Sequence, residues 1–280
     1  MRLRSRGVVL SFLLAPMCLP VWAGVSVPDW VRQAAAQQLP TYPPDTDAVV
    51  LLDEEVVTVS APGEYTSHVR RAVRILRPDG RHYGEIYVYL EHGGKLNSIH
   101  AWTLDAQGHE YEVKDKEFTE NTPYSFELYS DVRRIRGTAP AANPGSVVAM
   151  EYDVRRHDWH NQLTWFWEES VPVRESRIAV QLPPGWEYKF TATGSTQVQP
   201  GRIGDNKWEW VRRDLPAIEH EPRMPAYLAL SSRLELAYFP TSSSGGNFAS
   251  WDGIARWYAT LAADRRTTTP EISEKVRELT

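Results

Sequence analysis

Residues 47–80, DAVVLLDEEVVTVSAPGEYTSHVRRAVRILRPDG, contain two long runs of β-branched and apolar residues. Ala61-Pro62-Gly63 separates the runs, and Arg77-Pro78-Asp79-Gly80 ends the second with residues that favour a tight turn. Because β-branched side chains suit extended backbone, while Pro and Gly interrupt it, this stretch predicts two consecutive strands. It also sets the pattern that the chain repeats as far as residue 240.

The same pattern of short alternating segments and turns continues downstream. Residues 84–91 and 146–156 alternate apolar and polar positions, and residues 99–113 have the form of a hairpin. Further strand-like segments are each ended by Pro, Gly or Asn, at 163–171, 176–183, 186–193 and 207–214. Helical periodicity is nearly absent from this region. The sequence therefore predicts an all-β, antiparallel β-sandwich over residues 45–240, built as one large unit or as two sub-sheets.

Helical or flexible segments flank the predicted sandwich. Residues 28–38 have the composition of a short helix that starts near Pro28, and a Pro-rich stretch then completes a lead-in over residues 24–44. On the other side, residues 241–249 are predicted to be a flexible linker because of their Ser and Gly content.

Residues 250–280 are predicted to be a helical exit segment, with Ser250 as the N-cap of a first helix and Thr269-Pro270-Glu271 starting a second. The apolar stripes consist of Trp251, Ile254, Ala255, Tyr258 and Leu261 in the first helix and Ile272, Val276 and Leu279 in the second. We expect Trp251 to anchor the first helix onto the sandwich. The second stripe predicts a chain that continues into a further domain, and a tail helix docked on the sandwich is the alternative.

The first 23 residues are predicted to be a signal peptide. Arg2, Arg4 and Arg6 give a basic start, an apolar run covers Val8–Leu19, and Val21-Trp22-Ala23 supplies the small residues that signal peptidase recognises. The apolar run is short and interrupted by proline, so a retained membrane anchor is the less favoured alternative. We therefore expect an exported protein of the periplasm, the cell surface or the extracellular space.

Charge and cysteine content exclude several classes of function. The chain carries 31 basic and 36 acidic residues, and removal of residues 1–23 takes away three arginines, which leaves a net charge of −8. Such a chain is unsuited to nucleic acid, whose binding needs clustered Lys and Arg. Cys18 is the only cysteine and lies in the predicted signal peptide. The mature chain would therefore lack disulfides, a cysteine nucleophile and thiolate metal ligands, and no cofactor is predicted.

His157-Asp158-Trp159-His160 is the densest cluster of potential metal ligands. Histidines three residues apart point the same way only on a helical turn, whereas this segment joins two predicted strands. A polar loop is the preferred interpretation, with His157 and His160 kept as candidate metal ligands. The sequence contains no zinc-protease, phosphate-loop or nucleophile-elbow motif, so no catalytic residue is predicted. Because a Ser-His-Asp triad leaves no local signature, a hydrolase with a hidden site stays open as a third hypothesis.

Adjacent acidic residues and one basic cluster complete the charged candidates. Glu168-Glu169 and Asp53-Glu54-Glu55 lie on predicted strands, where neighbours point to opposite faces, so neither set is expected to form an acid–base pair. Arg133, Arg134 and Arg136 could meet an anionic group, although a solvated strand edge is the commoner explanation of such a cluster.

Ten tryptophans remain after removal of the signal peptide. Trp165 and Trp167 share one face of a predicted strand, as do Trp208 and Trp210, and such pairs are usually core or cross-strand contacts. Exposed on a flat face, either pair could instead stack on sugars. Trp251 and Trp257 of the exit segment are the remaining candidates for a binding or structural role.

Four segments together resemble a known family: residues 130–156, 166–190, 207–225 and 248–262. Their motifs, in order, are Pro140-x-x-x-Pro144-Gly145, Pro172-Val173-Arg174, Trp208-x-Trp210, Glu221-Pro222, Ser250-Trp251 and Trp257-Tyr258. Over roughly residues 45–262 the chain resembles the domain of unknown function 3857, which is found in exported bacterial proteins ahead of a transglutaminase-like, papain-type domain. The resemblance places no catalytic residue in this stretch. It implies that the chemistry belongs to the following domain, whose Cys-His-Asp triad would attack an amide through an acyl-enzyme.

The leading functional hypothesis follows from this resemblance. The chain would be a non-catalytic exported module that positions a transglutaminase-like cysteine amidase, protease or acyltransferase domain in cis, or helps to present a peptide or cell-wall substrate to it. The alternative is a stand-alone module that binds glycans or peptides through exposed aromatic side chains. Neither hypothesis involves nucleic acid or, after signal cleavage, a membrane span.

Overall fold

The structure is a computed structural model that describes residues 26–123, 131–158, 160–194, 198–241, 250–265 and 268–279. The predicted signal peptide with Cys18, almost all of the predicted linker at 241–249, and Trp159 lie outside these residues. Strands begin at Ala48 and end at Pro240, and short helices precede and follow them. The prediction of an all-β sandwich with short flanking helices is therefore confirmed.

Fourteen strands run through the described residues. The first seven are β1 (Ala48–Ala61), β2 (Glu64–Ile75), β3 (Glu85–Leu90), β4 (Lys95–Leu104), β5 (Glu110–Glu112), β6 (Thr119–Asn121) and β7 (Arg133–Thr138). The other seven are β8 (Val147–His157), β9 (Gln162–Phe166), β10 (Val173–Gln181), β11 (Trp186–Thr193), β12 (Gly201–Gly204), β13 (Lys207–Leu215) and β14 (Arg233–Pro240). The helices are α1 (Asp29–Ala35), α2 (Tyr227–Leu230), α3 (Trp251–Ala262) and α4 (Pro270–Leu279), and the longest 3₁₀ segment covers Pro78–Gly84.

Eight strands form one large sheet, sheet I, in the order β12-β13-β10-β1-β2-β8-β4-β5. The two predicted strands β1 and β2 pair as an antiparallel hairpin near its centre. Gly63 in the hairpin turn has a φ of +74°, and a Cβ there would lie 2.2 Å from the carbonyl oxygen of Asp158. The turn therefore needs glycine both for its backbone angle and for space.

One strand pairing in sheet I departs from the antiparallel prediction. β1 and β10 pair in parallel, whereas the other pairings of the described strands are antiparallel. β10 follows β9, which belongs to a different sheet, so the chain enters sheet I by a crossover. A crossover leaves the strand direction free, whereas a tight hairpin imposes the antiparallel one.

Two three-stranded sheets cover one face of sheet I. Sheet II has the order β3-β7-β6, and sheet III has the order β11-β14-β9. Ile86 of sheet II shares a core cluster with Val148, and Leu236 of sheet III shares another with Val73. Val73 and Val148 are direct cross-strand partners, so both small sheets lie on the same face of sheet I. The sandwich thus has one continuous layer and one divided layer.

Helix α1 packs on the opposite face of sheet I. Val31 is fully buried in a cluster with Leu51 of β1 and Trp102 of β4. Trp30 meets Trp102 edge-on with ring centroids 6.4 Å apart, and its Nε1–H donates to a Glu151 carboxylate oxygen at 2.7 Å. The predicted N-terminal helix therefore exists, and it covers part of the face of sheet I that sheets II and III leave open.

The arginine cluster does not lie on a sheet edge, contrary to the solvated-edge explanation. β7 is the central strand of sheet II and pairs with both β3 and β6. Arg133 forms an ion pair with Glu120 at 3.1 Å, and Arg136 forms one with Glu85 at 2.7 Å. Arg134 donates to the Asn121 side chain and lies 5.4 Å from the Tyr87 ring centre. Cross-strand partners therefore explain why these arginines occur together.

The exit helices form where the sequence predicts them, but Trp251 does not anchor them. The Ser250 side chain caps α3 by accepting the N–H of Gly253 at 3.2 Å. Trp251, the first residue of the helix, is 85% exposed. The Trp257 ring lies 5.8 Å from the His160 ring and gives α3 a contact with the sandwich instead. No helix in the described residues is long and apolar enough to cross a membrane.

Candidate functional site

The chain segment after β9 directs two adjacent carboxylates to opposite sides. Glu169 accepts two hydrogen bonds from the Arg71 guanidinium, at 2.6 and 2.7 Å. Glu168 accepts from Arg212 at 2.8 Å and from the backbone N–H of Ser232 at 2.8 Å. The expectation that these two acids do not act as a pair agrees with this geometry, because each binds a different arginine.

Arg71 is the centre of a mostly buried charge cluster between sheets II and III. It lies on the face of β2 that these sheets cover, directly opposite Asp53 of β1, and its Nη1 is 3.2 Å from an Asp53 carboxylate oxygen. Burial raises the pKa of Asp53 to about 6; Arg71 opposes this shift and Glu169 adds to it. Burial alone would lower the pKa of Arg71, but the charges of Glu169 and Asp53 outweigh it and raise that pKa. Burial is therefore the main reason why the charged form of Asp53 is disfavoured.

A cavity of about 290 Å³ lies beside this cluster. Its floor includes Arg71, Val73 and Met150 of sheet I, and its wall includes Tyr83 and Tyr87. Burial raises the pKa of the Tyr83 hydroxyl, with Ser170 opposing the shift through a hydrogen bond. The cavity is open and largely apolar, and Arg71 places the charged cluster at one side of it.

Two further cavities continue from the first along the same end of the sandwich. The second, of about 360 Å³, shares His82 and Tyr83 with the first, and its other lining residues include Asp45, Asp47 and Glu219. The third, of about 310 Å³, shares Thr46, Pro172, Ala217 and Glu219 with the second. Because neighbouring cavities share lining residues, the three lie side by side.

The second charge cluster, around Glu168, is structural. The Glu168 and Arg212 side chains are each only 10% exposed. Ser232 donates its hydroxyl to the same carboxylate at 2.6 Å, and the Tyr227 hydroxyl donates to the Glu168 carbonyl oxygen. The Arg212 guanidinium also lies 5.9 Å from the Trp167 ring centre. All the strong partners of this carboxylate lie within the fold, so it has no lone pair directed at a ligand.

The face of sheet I opposite sheets II and III carries a row of alternating charges. Its ion pairs, each between neighbouring strands or within one strand, are Arg213–Glu175, Glu175–Arg177, Arg177–Glu54, Glu54–Arg70 and Arg70–Glu151. At the end of the row, the His68 ring nitrogens lie 3.2 Å from a Glu151 oxygen and 3.0 Å from an Asp153 oxygen. Each charge has an opposite neighbour, as expected for cross-strand pairs that stabilise a solvated sheet face. We assign this row to the fold rather than to a binding site.

The four strand tryptophans lie in the core between sheets I and III. Trp167 and Trp210 are 2% and 0% exposed, and Trp165 and Trp208 pack against the same cluster. Trp165 Nε1–H donates to the Ser176 hydroxyl at 3.0 Å. These rings therefore do not form an exposed sugar platform. Of the two tryptophans on α3, Trp251 is exposed and Trp257 is half-buried.

The two candidate metal ligands lie on either side of a strand end. β8 ends at His157, and His160 follows, with its Nδ1 3.8 Å from an Asp158 carboxylate oxygen. The His160 ring faces Trp257. Among the residues that the structure describes, no group of three or more His, Cys, Asp or Glu side chains could hold a metal ion.

Sequence reasoning did not identify the Arg71 cluster or the three neighbouring cavities. Arg71 and Glu169 are 98 positions apart, so no local spacing could have paired them. A weaker signal was present: Asp53 and Glu55 interrupt a run of Val and Leu on a strand whose first five residues are buried. Acidic residues inside such a run indicate a charged partner or an opening in the core.

The comparisons with known proteins agree with this fold. No curated protein matches the chain. A solved structure from Parabacteroides distasonis, of a protein named a "putative protease", aligns with a TM-score of 0.59 and 18% identity over 83% of this chain and 49% of its own. The chain thus spans about half the length of that protein, and the likeness concerns the fold alone.

Two peptidase structures align less well. The M1 zinc metallopeptidase of Deinococcus radiodurans gives a TM-score of 0.37 at 13% identity, over 68% of this chain and 42% of its own. Yeast LTA4 hydrolase in complex with bestatin gives 0.36 at 13% identity, over 75% of this chain and 33% of its own. The family model DUF3857, described as "Domain of Unknown Function with solved-structure structure", matches residues 61–219, more than half of the chain. The expected resemblance is therefore confirmed, and the chain belongs to the DUF3857 family.

Proposed function

We propose that this chain is a non-catalytic module of an exported protein and that it docks and positions a following transglutaminase-like cysteine amidase, protease or acyltransferase domain. The observation that carries this proposal is the exposure of the apolar stripes of α3 and α4. Trp251, Tyr258 and Leu261 are exposed on α3, and Ile272, Val276 and Leu279 are exposed on α4. Extended apolar surface of this kind marks an interaction site.

Local structure supports a docking role for α3. Its N-cap hydrogen bond from Gly253 to Ser250 fixes where the helix begins, and its apolar residues recur on one side of the helix. The helix therefore has a defined apolar face, but little of that face is covered by the sandwich. A domain in the same polypeptide is the partner that the family resemblance implies.

Two adjacent acidic side chains, Glu168 and Glu169, are each bound by an arginine of the fold. The similar Parabacteroides distasonis protein is named a protease and is about twice as long as the part that this chain matches. That length is compatible with catalysis in a separate domain. Export is proposed from the signal-like residues 1–23.

A stand-alone binding module is the second candidate, and the structure changes its basis. The four strand tryptophans pack in the core, so they offer no platform for glycans. Tyr87 and Tyr89 on sheet II are instead 37% and 42% exposed. On the described strands such a module would use these tyrosines rather than the four core tryptophans, and on α3 it could use the exposed Trp251 and Tyr258.

The proposal can be tested by extending the encoded reading frame beyond Thr280 and expressing the longer product. We expect a Cys followed by a His and an Asp within about 150 residues, a typical domain length. We also expect slower amide hydrogen exchange in α3 and α4 of the longer product than in residues 24–280 alone, with β14 as the internal reference. A frame that stops at Thr280, or equal exchange in both proteins, would contradict the proposal.

A matched pair of variants strengthens this test. Trp251→Ser combined with Tyr258→Ser should remove the protection of α3 in the longer product and reduce its amidase or peptidase activity. Ile203→Ser removes an exposed apolar side chain from strand β12. It should change neither the protection of α3 nor the activity of the longer product. Equal effects of the two would show that α3 is not the docking surface.

A further inference from the structure

We propose that the free edge of β3 in sheet II binds an extended peptide by strand addition, with one apolar side chain in the adjoining cavity and a cationic side chain beside the Arg71 cluster. The inference rests on the proposed function for its purpose, because it names a substrate class that the module would present. Its site lies entirely within the described residues.

The first observation is the unpaired edge. β3 pairs with β7 on one side, and none of the described strands pairs with its other side. Residues 85–90 contain no Pro, Lys or Arg, and no bulge interrupts the pairing with β7. Natural sheets usually protect a free edge by such features. An edge that lacks them retains its N–H and C=O groups for an added strand, which is a common mode of peptide recognition.

The second observation is the cavity of about 290 Å³ along this edge. Ile86 and Tyr87 of β3 line it, together with Val73 and Met150 from the floor of sheet I, whereas no residue of β7 does. The cavity therefore lies on the free side of β3. Its apolar floor fits the side chain of an apolar residue in an added strand.

The third observation is the charge next to the cavity. Arg71 lines the cavity and binds both Asp53 and Glu169, so one guanidinium faces two carboxylates. Glu55 lies two residues from Asp53 on the same face of β1 and takes part in none of the ion pairs of the described residues. The local charge is therefore negative. Partial burial strengthens its attraction for a Lys or Arg side chain.

Strand geometry combines these observations into one ligand. In an added strand, residues i and i+2 point to the same face. One of them would occupy the cavity, and the other would reach the carboxylates on the floor. The intervening side chains would point outward beside Tyr87 and Tyr89, which project from the solvent face of β3. The expected ligand is an extended segment in which apolar and cationic residues alternate on one face.

The test uses residues 24–280 and three fluorescein-labelled peptides. The first is Thr-Val-Thr-Lys-Thr-Val, the second has Glu in place of Lys, and the third has Pro in place of the two internal Thr residues. The first should bind saturably, with a Kd below about 1 mM, and should slow hydrogen exchange in β3. The Glu and Pro peptides should bind at least about tenfold more weakly, because one is repelled and the other lacks main-chain donors.

Variants of the chain complete the test. Glu55→Gln should weaken the Lys peptide about three- to tenfold, a loss of the size measured for one partly exposed charge contact. Glu187→Gln, on the exposed face of sheet III, should leave binding unchanged. Absence of saturable binding, binding without protection of β3, or equal binding of the Glu peptide would each overturn the proposal. These results are independent of any domain beyond Thr280, so their failure is distinguishable from failure of the proposed docking role.

Discussion

Sheets II and III cover the same face of sheet I, yet they are built in different ways. Sheet III closes on a core of tryptophan and tyrosine rings, and its approach to sheet I is fixed by the buried Glu168–Arg212 pair. Sheet II rests on smaller aliphatic clusters, exposes two tyrosines and leaves the edge of β3 unpaired beside a cavity. The difference indicates that sheet III stabilises the module, whereas sheet II has a surface left available for a ligand.

The largest expected effect is in the aromatic core of sheet III. Trp210→Ala removes a fully buried ring that meets Tyr188 and Phe190 edge-on at 5.5 and 5.7 Å. Because the surrounding side chains can fill the resulting cavity only in part, the free energy of unfolding should fall by about 3–5 kcal/mol. Urea or guanidinium unfolding measures this change. A loss below about 1 kcal/mol would show that the sheet I–sheet III core does not dominate stability.

The buried ion pair should give the next largest effect. Glu168→Ala leaves the Arg212 guanidinium and the Ser232 N–H without their main acceptor, and both are mostly buried. The free energy of unfolding should fall by about 2–4 kcal/mol. Glu187→Ala, on the exposed face of the same sheet, is the control and should change it by less than about 0.5 kcal/mol. Similar losses for the two variants would argue against a structural role for Glu168.

The Arg71 cluster should make the free energy of unfolding depend on pH. Asp53 has a pKa of about 6 in the folded chain against 3.8 in the unfolded chain, so the folded state binds its proton more tightly. Folding therefore disfavours the charged form. The contribution of Asp53 to the free energy of unfolding increases as the pH falls from above 6 towards 4. The free energy of unfolding of the wild-type protein, relative to that of Asp53→Asn, should increase by about 1–3 kcal/mol over this range. Urea unfolding of both proteins at several pH values gives the difference, and a constant difference would contradict the assigned pKa shift.

The smallest expected effect is at the exposed tyrosines of sheet II. Tyr89→Ala removes a side chain that is already 42% exposed on the solvent face of β3. Thermal or urea unfolding should detect a change of at most about 0.5–1 kcal/mol. A loss comparable to that of Trp210→Ala would mean that sheet II, too, depends on its aromatic residues for stability.

Local patterns in the sequence predict much of the fold. The β-branched runs at residues 47–60 and 64–75, the Gly63 turn, the hairpin at residues 99–113 and the Ser250 cap all depend on neighbours a few positions apart. The structure reproduces each of them. The parallel pairing of β1 with β10, and the division of the second layer into two sheets, depend on contacts between segments far apart in the chain.

The candidate site was less accessible to sequence reasoning for the same reason. The pairing of Arg71 with Glu169 joins positions 98 residues apart, and the cavity beside β3 is lined by residues of β2, β3, β8 and the Pro78–Gly84 segment, which only the folded chain brings together. Trp251 shows the opposite error. An apolar residue at the start of an amphipathic helix predicts an anchor, but the sandwich provides no surface against that end of α3. Hydrophobic pattern shows which face needs a partner, but not where the partner is.

Residue-resolved hydrogen exchange on residues 24–280 without ligand tests the contrast between the two sheets most directly. The β3 amides that do not bond to β7 should exchange early, by local opening, whereas the amides of β14 at the centre of sheet III should exchange only through global unfolding. This result would establish a stable sheet III and an open edge on sheet II. Equal, high protection of all β3 amides and those of β14 would show that the edge is covered, and it would contradict the account.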